Sequence, residues 1–137
     1  MYTPSQCQAR RAKNCRLNKR MPQEYLDATP EELSKICNGV GTDKFGPIVL
    51  FLTSGMFNFY TDDADIHDFI WTKLNDGTVE TWQKSNEDFR HNTQISAANT
   101  TLFFGWFRRE AKAQLRNLGS ALASVVESDI GWKVWRS

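Results

Sequence analysis

A chain of 137 residues with 40% apolar and 24% charged residues fits one ordinary globular domain with a single core. The formal charge of +1 excludes a global attraction to nucleic acid or anionic lipid, so any such attraction must be local. Residues 48–52 form the longest apolar run, too short to cross a membrane, and the start MYTPSQCQARRAKNC lacks the apolar core of a secretion signal. Three cysteines are an odd, sparse set for a disulfide framework, so we expect reduced thiols.

The first part of the chain carries a local excess of positive charge, because six cations precede the first acidic residue, Glu24. Two interpretations are open for residues 1–22: a solvated or disordered extension, or an arm that contacts nucleic-acid phosphates or a membrane surface. Residues 23–137 are expected to form a single helical domain. The six cations of the arm are Arg10, Arg11, Lys13, Arg16, Lys19 and Arg20.

Thr29 and Pro30 mark the start of a predicted helix, with Thr29 as the N-cap, the proline in the first turn and two acids after it. We expect this helix to end near Cys37, because the following NGVG at residues 38–41 offers two glycines that let the backbone turn. Residues 45–60 are apolar without a clean period, so strand, buried loop and helix all remain open there.

An amphipathic helix is predicted from about Thr61 to Leu74, where apolar residues recur at spacings of three and four behind an acidic first turn. The NDG at residues 75–77 predicts a tight turn, and a second amphipathic helix should follow it through about Thr93. So short a connection favours an antiparallel pair of helices.

The C-terminal third predicts further helix. Residues 99–126 are rich in good helix formers and favour one long helix, or two with a break at Gly105 or Gly119. Trp132 and Trp135 close the chain and are expected to pack back on the body. The fold predicted from these patterns is mainly α.

His67 and Asp68 combine a base suited to neutral pH with a carboxylate suited to a hard cation. Successive side chains on a helix point about 100° apart, so both can enter one cleft from different angles. Asp88, on the antiparallel neighbour, could bond one ring nitrogen of His67 and leave the other to take a proton from water. Carbonyl oxygens around Gly39 and Gly41 could join Asp68 in an oxygen cage for calcium.

Three segments in this order, CNGVGTDKFG, DADIHDFIW and NEDFRHN, resemble the phospholipase A2 superfamily. In that family a calcium loop of the form GxG precedes an HDxxY helix, and a second helix supplies an aspartate. The matched region runs from about residue 29 to 92. It is similar to the disulfide-poor viral and bacteriophage versions, whose A-D-x-x-F segment falls roughly at Glu87-Asp88-Phe89. The resemblance implies antiparallel helices after a calcium-type loop, here with an additional C-terminal helix.

Carried over residue by residue, the resemblance implies His67 as the base for the attacking water and Asp88 as its partner. Asp68 would be the calcium carboxylate. Trp71 falls where the family usually has a tyrosine, which removes a hydroxyl from the support network, and the family's cysteines beside the HD pair are absent. The remaining calcium ligands would be main-chain oxygens at Cys37, Gly39 and Gly41.

Two other groups of residues have simpler explanations than a separate site. Cys37 could be a nucleophile with His67, but a small buried residue at a helix end explains it as well. Acids in the first turn of a helix are explained by the helix dipole without a metal ion. These acids are Asp62, Asp63 and Asp65.

The leading hypothesis is a calcium-dependent, phospholipase A2-like hydrolase that cuts a glycerophospholipid acyl ester by direct attack of water. Its basic arm would aid contact with anionic membranes. The alternative is a non-catalytic interaction or structural module of phage origin, whose arm contacts nucleic acid or a partner. An enzyme of this kind is expected in the cytoplasm, or to reach lipid through lysis, a virion or a secretion machine.

Overall fold

The structure, a computed structural model, describes residues 2–37, 57–100 and 107–137, and the regular elements in these three segments are all helical. The mainly helical fold predicted from the sequence is therefore confirmed. None of the helices in the described segments is long and apolar enough to cross a membrane. The α-helices are α1 (Pro4–Arg16), α2 (Gln23–Asp27), α3 (Pro30–Ile36), α4 (Thr61–Lys73), α5 (Val79–Ala98), α6 (Phe107–Val126) and α7 (Asp129–Trp135), and a 3-10 turn (Phe57–Tyr60) precedes α4.

Helix α1 begins with a complete capping box. The Thr3 hydroxyl accepts from the Gln6 backbone N–H and the Gln6 side chain accepts from the Thr3 N–H, with proline in the first turn. Cys7 and Asn14 are buried on the inner face of the helix. The N-terminal segment is thus an ordered helix, which differs from the solvated or disordered extension that its charge suggested.

Ion pairs with the first turns of α4 hold this segment in place. The Lys19 ammonium lies 2.7 Å from Asp63 Oδ1, and both side chains are completely buried. A local charge excess gives no sign of such partners, because they lie more than forty residues further along the chain. The other pairs join Arg10 to Asp65 and Asp62, and Lys13 to Asp62.

Helix α3 begins and ends where the sequence predicted. Thr29 caps it in a capping box with Glu32, and Cys37 is its C-cap. The glycines at 39 and 41, together with the open stretch at 45–56, lie outside the described residues. Cys37 itself is buried and its thiol, like those of the other two cysteines, is free.

Helices α4 and α5 are antiparallel, as predicted. Three side-chain pairs show it, because the α5 partner number falls as the α4 number rises: Asp63 with Ser96, His67 with Asn86, and Trp71 with Ser85. The turn between them has Gly77 at φ +74, a left-handed conformation that suits glycine. Helix α5 continues five residues beyond the expected Thr93, because Ser96 and Ala97 are buried against the body.

The last two helices pack on this pair. Helix α6 runs uninterrupted through Gly119, where an added Cβ would lie 3.0 Å from Thr93 and 3.1 Å from the Tyr60 hydroxyl. Gly119 is therefore a close-approach position and not a break, while Gly105 lies outside the described residues. Trp135 is buried with its ring centroid 5.4 Å from that of Trp71, which confirms that the terminal tryptophans pack back.

Helix α4 separates two apolar clusters. The first, on the side of α1 to α3, comprises Cys7, Tyr25, Ala28, Leu33, Cys37, Ile66, Phe69 and Ile70. The second, on the side of α5 and α6, comprises Tyr60, Phe89, Leu122 and Ala123. A residue on α4 can therefore face either cluster, according to its position around the helix. This holds for the candidate residues His67 and Asp68.

Candidate active site

His67 lies on α4 in an aromatic enclosure. Its residue is 6% exposed, and the ring centroid is 4.6 Å from that of Trp71 and 4.8 Å from that of Phe89. Burial lowers the pKa of His67 to about 4, since the charged form loses its hydration; the hydrogen bond to Asn86 opposes this only in part. The imidazole is therefore neutral near pH 7.

Asn86 on α5 fixes the orientation and tautomer of the His67 ring. Its Nδ2 donates to the Val126 carbonyl at 3.2 Å, so the amide oxygen is the atom that faces the histidine. That oxygen lies 3.2 Å from His67 Nε2 and can only accept, so Nε2 carries the proton. The lone pair of the neutral ring is consequently on Nδ1, the nitrogen available to accept a proton.

Asp88 does not take the position that we expected for it. Its carboxylate oxygens lie 3.4 Å from Arg20 Nη1 and 2.7 Å from Lys84 Nζ, and the hydrogen-bond partner of His67 is Asn86. Positions 86 and 88 are about 200° apart around a helix, so only one of them can face the His67 ring. Asp88 instead lines a groove of about 620 Å³ with Ile70 and the two cations.

The spacing of the A-D-x-x-F segment contains a signal for Asn86. In an A-D-x-x-F segment the acid stands three residues before the aromatic residue. Counting back three residues from Phe89 gives Asn86, whereas the predicted acid, Asp88, stands one residue before Phe89. At this spacing the chain has an amide, whereas the A-D-x-x-F segment has a carboxylate.

Asp68 is the next residue of α4 after His67, about 100° further around the helix, and lies towards the end of α3. The residue as a whole is only partly buried, but its Oδ2 is shielded from solvent and has no hydrogen-bond partner among the described residues. Burial raises the pKa of Asp68 well above its usual range, and the neighbouring Asp65 carboxylate raises it further. A shielded carboxylate oxygen without a donor is suited to a cation.

Cys37 is next to this carboxylate. Its Sγ lies 3.5 Å from the Asp65 carbonyl oxygen, and burial, then Asp65 and then Asp68, raise the pKa of the thiol above its usual range. Cys37 is thus a protonated, buried residue, which disfavours the nucleophile that we considered. The C-cap of α3, where the glycine-containing loop begins, thus lies near Asp68.

One oxygen of Asp68 is a suitable ligand for a calcium ion. Calcium prefers carboxylate and main-chain oxygens, and the unpartnered Oδ2 of Asp68 is such a ligand. The described segments contain no group of three His, Cys, Asp or Glu side chains that could hold a metal ion. A calcium site would therefore depend on main-chain oxygens at Cys37, Gly39 and Gly41, of which the latter two lie outside the described residues.

Trp71, which stands where the resembling family has a tyrosine, still takes part in a polar network. Its Nε1 donates to Ser85 Oγ at 3.1 Å, and that hydroxyl donates to the Trp82 carbonyl at 2.8 Å. The indole therefore ties α4 to α5 beside the His67 ring.

The cations of the predicted N-terminal arm are mostly engaged inside the molecule. Arg11 donates to the carbonyls of Tyr25, Leu26 and Ala28, so it holds the segment after α1 rather than an external ligand. Arg16 remains exposed at the end of α1. The paired cations are Arg10, Lys13, Lys19 and Arg20.

Comparison of this chain with known protein families, with curated proteins and with solved structures found no match.

Proposed function

We propose that the chain is a calcium-dependent, phospholipase A2-like hydrolase that cleaves an acyl ester of a glycerophospholipid. The observation that carries the proposal is that two neighbouring residues of α4 supply a base and a ligand for a cation. His67 has its tautomer set by Asn86, and Asp68 presents a shielded carboxylate oxygen without a donor beside Cys37. A base and a cation ligand on one turn of helix are the minimum that activation of water at a calcium site needs.

In the proposed reaction, His67 Nδ1 accepts a proton from the water that attacks the ester carbonyl. Asn86 holds the ring from the opposite nitrogen, as the amide does in a Cys-His-Asn arrangement. An amide stabilises the charged imidazolium less than a carboxylate does, and His67 is also buried. We therefore expect a slower enzyme than one with aspartate at position 86.

Calcium, where bound by Asp68 and main-chain oxygens at Cys37, Gly39 and Gly41, would neutralise negative charge developing on the ester oxygen. Asp68 contributes to this as a ligand only when ionised, so binding of the cation and release of the carboxyl proton are coupled. Trp71 and Phe89 limit the access of bulk water to the other side of the His67 ring.

Release of fatty acid from phosphatidylcholine in mixed micelles tests the proposal, with calcium and with a chelator. We expect calcium-dependent release that falls at least roughly a hundredfold in His67→Gln. His91→Gln is the matched control, because it removes the other histidine of the chain from the same helix pair. Full activity of folded His67→Gln, or equal losses in both variants, contradicts the role of His67.

Asn86→Asp is the sharper test, because it supplies the carboxylate that the site lacks. We expect this variant to hydrolyse faster than the wild-type chain, since a carboxylate beside Nε2 stabilises the imidazolium. Asp88→Asn, which changes a carboxylate engaged with Arg20 and Lys84, should leave the rate unchanged. A rate that depends on Asp88 but not on residue 86 would instead assign the role of partner of His67 to Asp88.

Calorimetric titration with calcium tests the metal site separately from turnover. Asp68→Asn should weaken calcium binding, because it removes the one charged ligand that we assign. Asp27→Asn is the matched control, since Asp27 is exposed on α2 and hydrogen-bonded only to Gln23 among the described contacts. Equal calcium affinity in the two variants would remove Asp68 from the site.

The amide at position 86 also favours the second candidate, a non-catalytic module that keeps the helical scaffold. A neutral partner and a buried ring give His67 little capacity to hold a proton. Absence of release from both the wild-type chain and Asn86→Asp, with calcium binding retained or not, would select this candidate. Its supposed contact through the N-terminal cations is not supported by the geometry, because most of these cations are paired internally.

A further inference from the structure

The Val126 carbonyl at the end of α6 determines which way the Asn86 amide faces. A carbonyl in the last turn of a helix has no donor from within that helix, and here Asn86 Nδ2 supplies one at 3.2 Å. With the amide nitrogen held there, the amide oxygen lies 3.2 Å from His67 Nε2. The imidazole is therefore oriented from the end of α6 through a single side chain.

Gly131, in the first turn of α7, makes room for that carbonyl. A Cβ added at position 131 would overlap the carbonyl oxygen of Val126, and it would lie 2.7 Å from the carbonyl carbon and 3.0 Å from the Cα. The obstruction is backbone, which cannot rotate away as the end of a flexible side chain can. Any larger residue would thus displace the Val126 carbonyl or move α7 as a whole.

Movement of α7 would reach the same imidazole by a second route. Trp135, buried in the last turn of α7, has its ring centroid 5.4 Å from that of Trp71. The Trp71 centroid in turn lies 4.6 Å from that of His67. Asn75 ties this end of α7 down, because its Nδ2 donates to the Trp135 carbonyl at 2.6 Å. Helix α7 is therefore connected to the His67 ring at both of its ends.

We propose that Gly131 is a positioning residue for His67, because it keeps the Val126 carbonyl where it holds the Asn86 amide. Only a residue without a side chain lets α7 and the end of α6 approach so closely, and this approach fixes the amide that faces Nε2. The importance of Gly131 for hydrolysis rests on the proposed function, in which Nδ1 takes the proton from water. Its effect on the ring is separate from hydrolysis, because the tautomer exists without substrate.

Long-range proton–nitrogen correlation spectra report the tautomer of each imidazole. The chain has two histidines, and His91→Gln assigns their signals. At pH 7 we expect His67 of the wild-type chain to carry its proton on Nε2, and Gly131→Ala to give a mixture of the two tautomers. Asn86→Ala should also give a mixture. Adding Gly131→Ala to Asn86→Ala should change the ratio no further, because both changes act through one hydrogen bond.

Gly119→Ala is the matched control, because it adds the same methyl group at another close contact of α6, 3.0 Å from Thr93. We expect this control to lower stability but to leave the His67 proton on Nε2. Retention of that tautomer in folded Gly131→Ala, or an equal mixture in Gly119→Ala, would overturn the proposal.

Asn75→Asp is the second variant, used where circular dichroism shows Gly131→Ala unfolded. It removes the donor to the Trp135 carbonyl but keeps the oxygen that accepts from the Gly77 N–H, so the turn before α5 is preserved. The loosened α7 should again mix the tautomers. An unchanged His67 spectrum in Asn75→Asp would then overturn the proposal.

Fatty-acid release from mixed micelles is measured in parallel. A displacement on the order of 1 Å in a positioning group can cost roughly a hundredfold in rate, so Gly131→Ala should lower release by up to that factor. Mixed tautomers in Gly131→Ala support the positioning role whether or not the wild-type chain releases fatty acid. Absence of release from the wild-type chain contradicts the proposed function alone.

Discussion

Two stretches of the chain are rich in cations, residues 10–20 and the N-terminal half of α6 with Arg109, Lys112 and Arg116, but their surroundings differ. In the first, Lys19 is completely buried against Asp63, and the neighbouring cations face the acids of α4. In the second, Arg109 and Arg116 are exposed without an acid partner among the described residues. The difference teaches that a cation stabilises the fold or remains in solvent according to what the tertiary structure places opposite it.

The largest expected effect comes from the buried pair. Lys19→Met should lower the free energy of unfolding by about 3 to 5 kcal/mol, because it leaves the Asp63 carboxylate buried without its cation. Urea denaturation measures this. The double variant Lys19→Met/Asp63→Leu removes both charges and should recover much of the loss, since an apolar pair carries no desolvation penalty. If Lys19→Met lowers the free energy of unfolding by less than the removal of an exposed ion pair does, the N-terminal segment is not fixed by the contact between Lys19 and Asp63.

Helix α6 should depend on apolar packing instead of charge. Leu122→Ala truncates a side chain that is 5% exposed in the second apolar cluster, and should cost about 2 to 5 kcal/mol. The loss should be the same at low and high salt, because no charge is involved. A marked salt dependence in denaturation experiments would indicate that charges also hold this helix.

The pH dependence of stability should show a contribution from His67. The pKa of the folded state is lowered to about 4 by burial, below the usual 6.5, so the unfolded chain binds a proton first as the pH falls. The buried neutral ring makes its full contribution to the free energy of unfolding above pH 6.5. That contribution decreases by up to about 3 kcal/mol as the pH falls to 4. The penalty of His67→Gln should therefore shrink over this range.

Comparison of His67→Gln with the wild-type chain is necessary because Asp65 acts in the opposite direction. Burial raises the pKa of Asp65 to about 6, so its folded form binds a proton before the unfolded form, and acid stabilises through this group. The difference between the two chains removes that common contribution. A penalty for His67→Gln that does not change between pH 7 and 4 would place the ring in contact with water.

The smallest expected effects come from exposed cations. Lys13 lies 2.5 Å from Asp62 but its side chain is 51% exposed, so Lys13→Gln should cost less than about 1 kcal/mol and lose that effect in salt. Arg109→Gln should change stability by less than about 0.5 kcal/mol. Thermal denaturation of the two variants is compared with that of Lys19→Met, and a large loss of stability in Arg109→Gln would show that Arg109 has a structural role.

Local signals made some of the helix boundaries predictable. The start of α3 was visible in Thr29 and Pro30, and the turn between α4 and α5 in residues 75–77, because caps and tight turns are set by side chains a few residues apart. The short turn also predicted the antiparallel pair. The partner of His67 was less accessible, since a register error of two residues on α5 exchanges one face of the helix for another.

Sequence patterns alone predicted helices α3 to α6, the turn that pairs α4 with α5, and the placing of His67 and Asp68 as neighbours on one helix, but not helices α1 and α2. These features depend on contacts within a few residues. Only the tertiary structure decided that Asn86 faces the imidazole, that Asp88 joins Arg20, and that Lys19 is buried on Asp63. Such pairs join residues nineteen to sixty-eight positions apart, and packing, which brings them together, leaves no periodic trace in the chain.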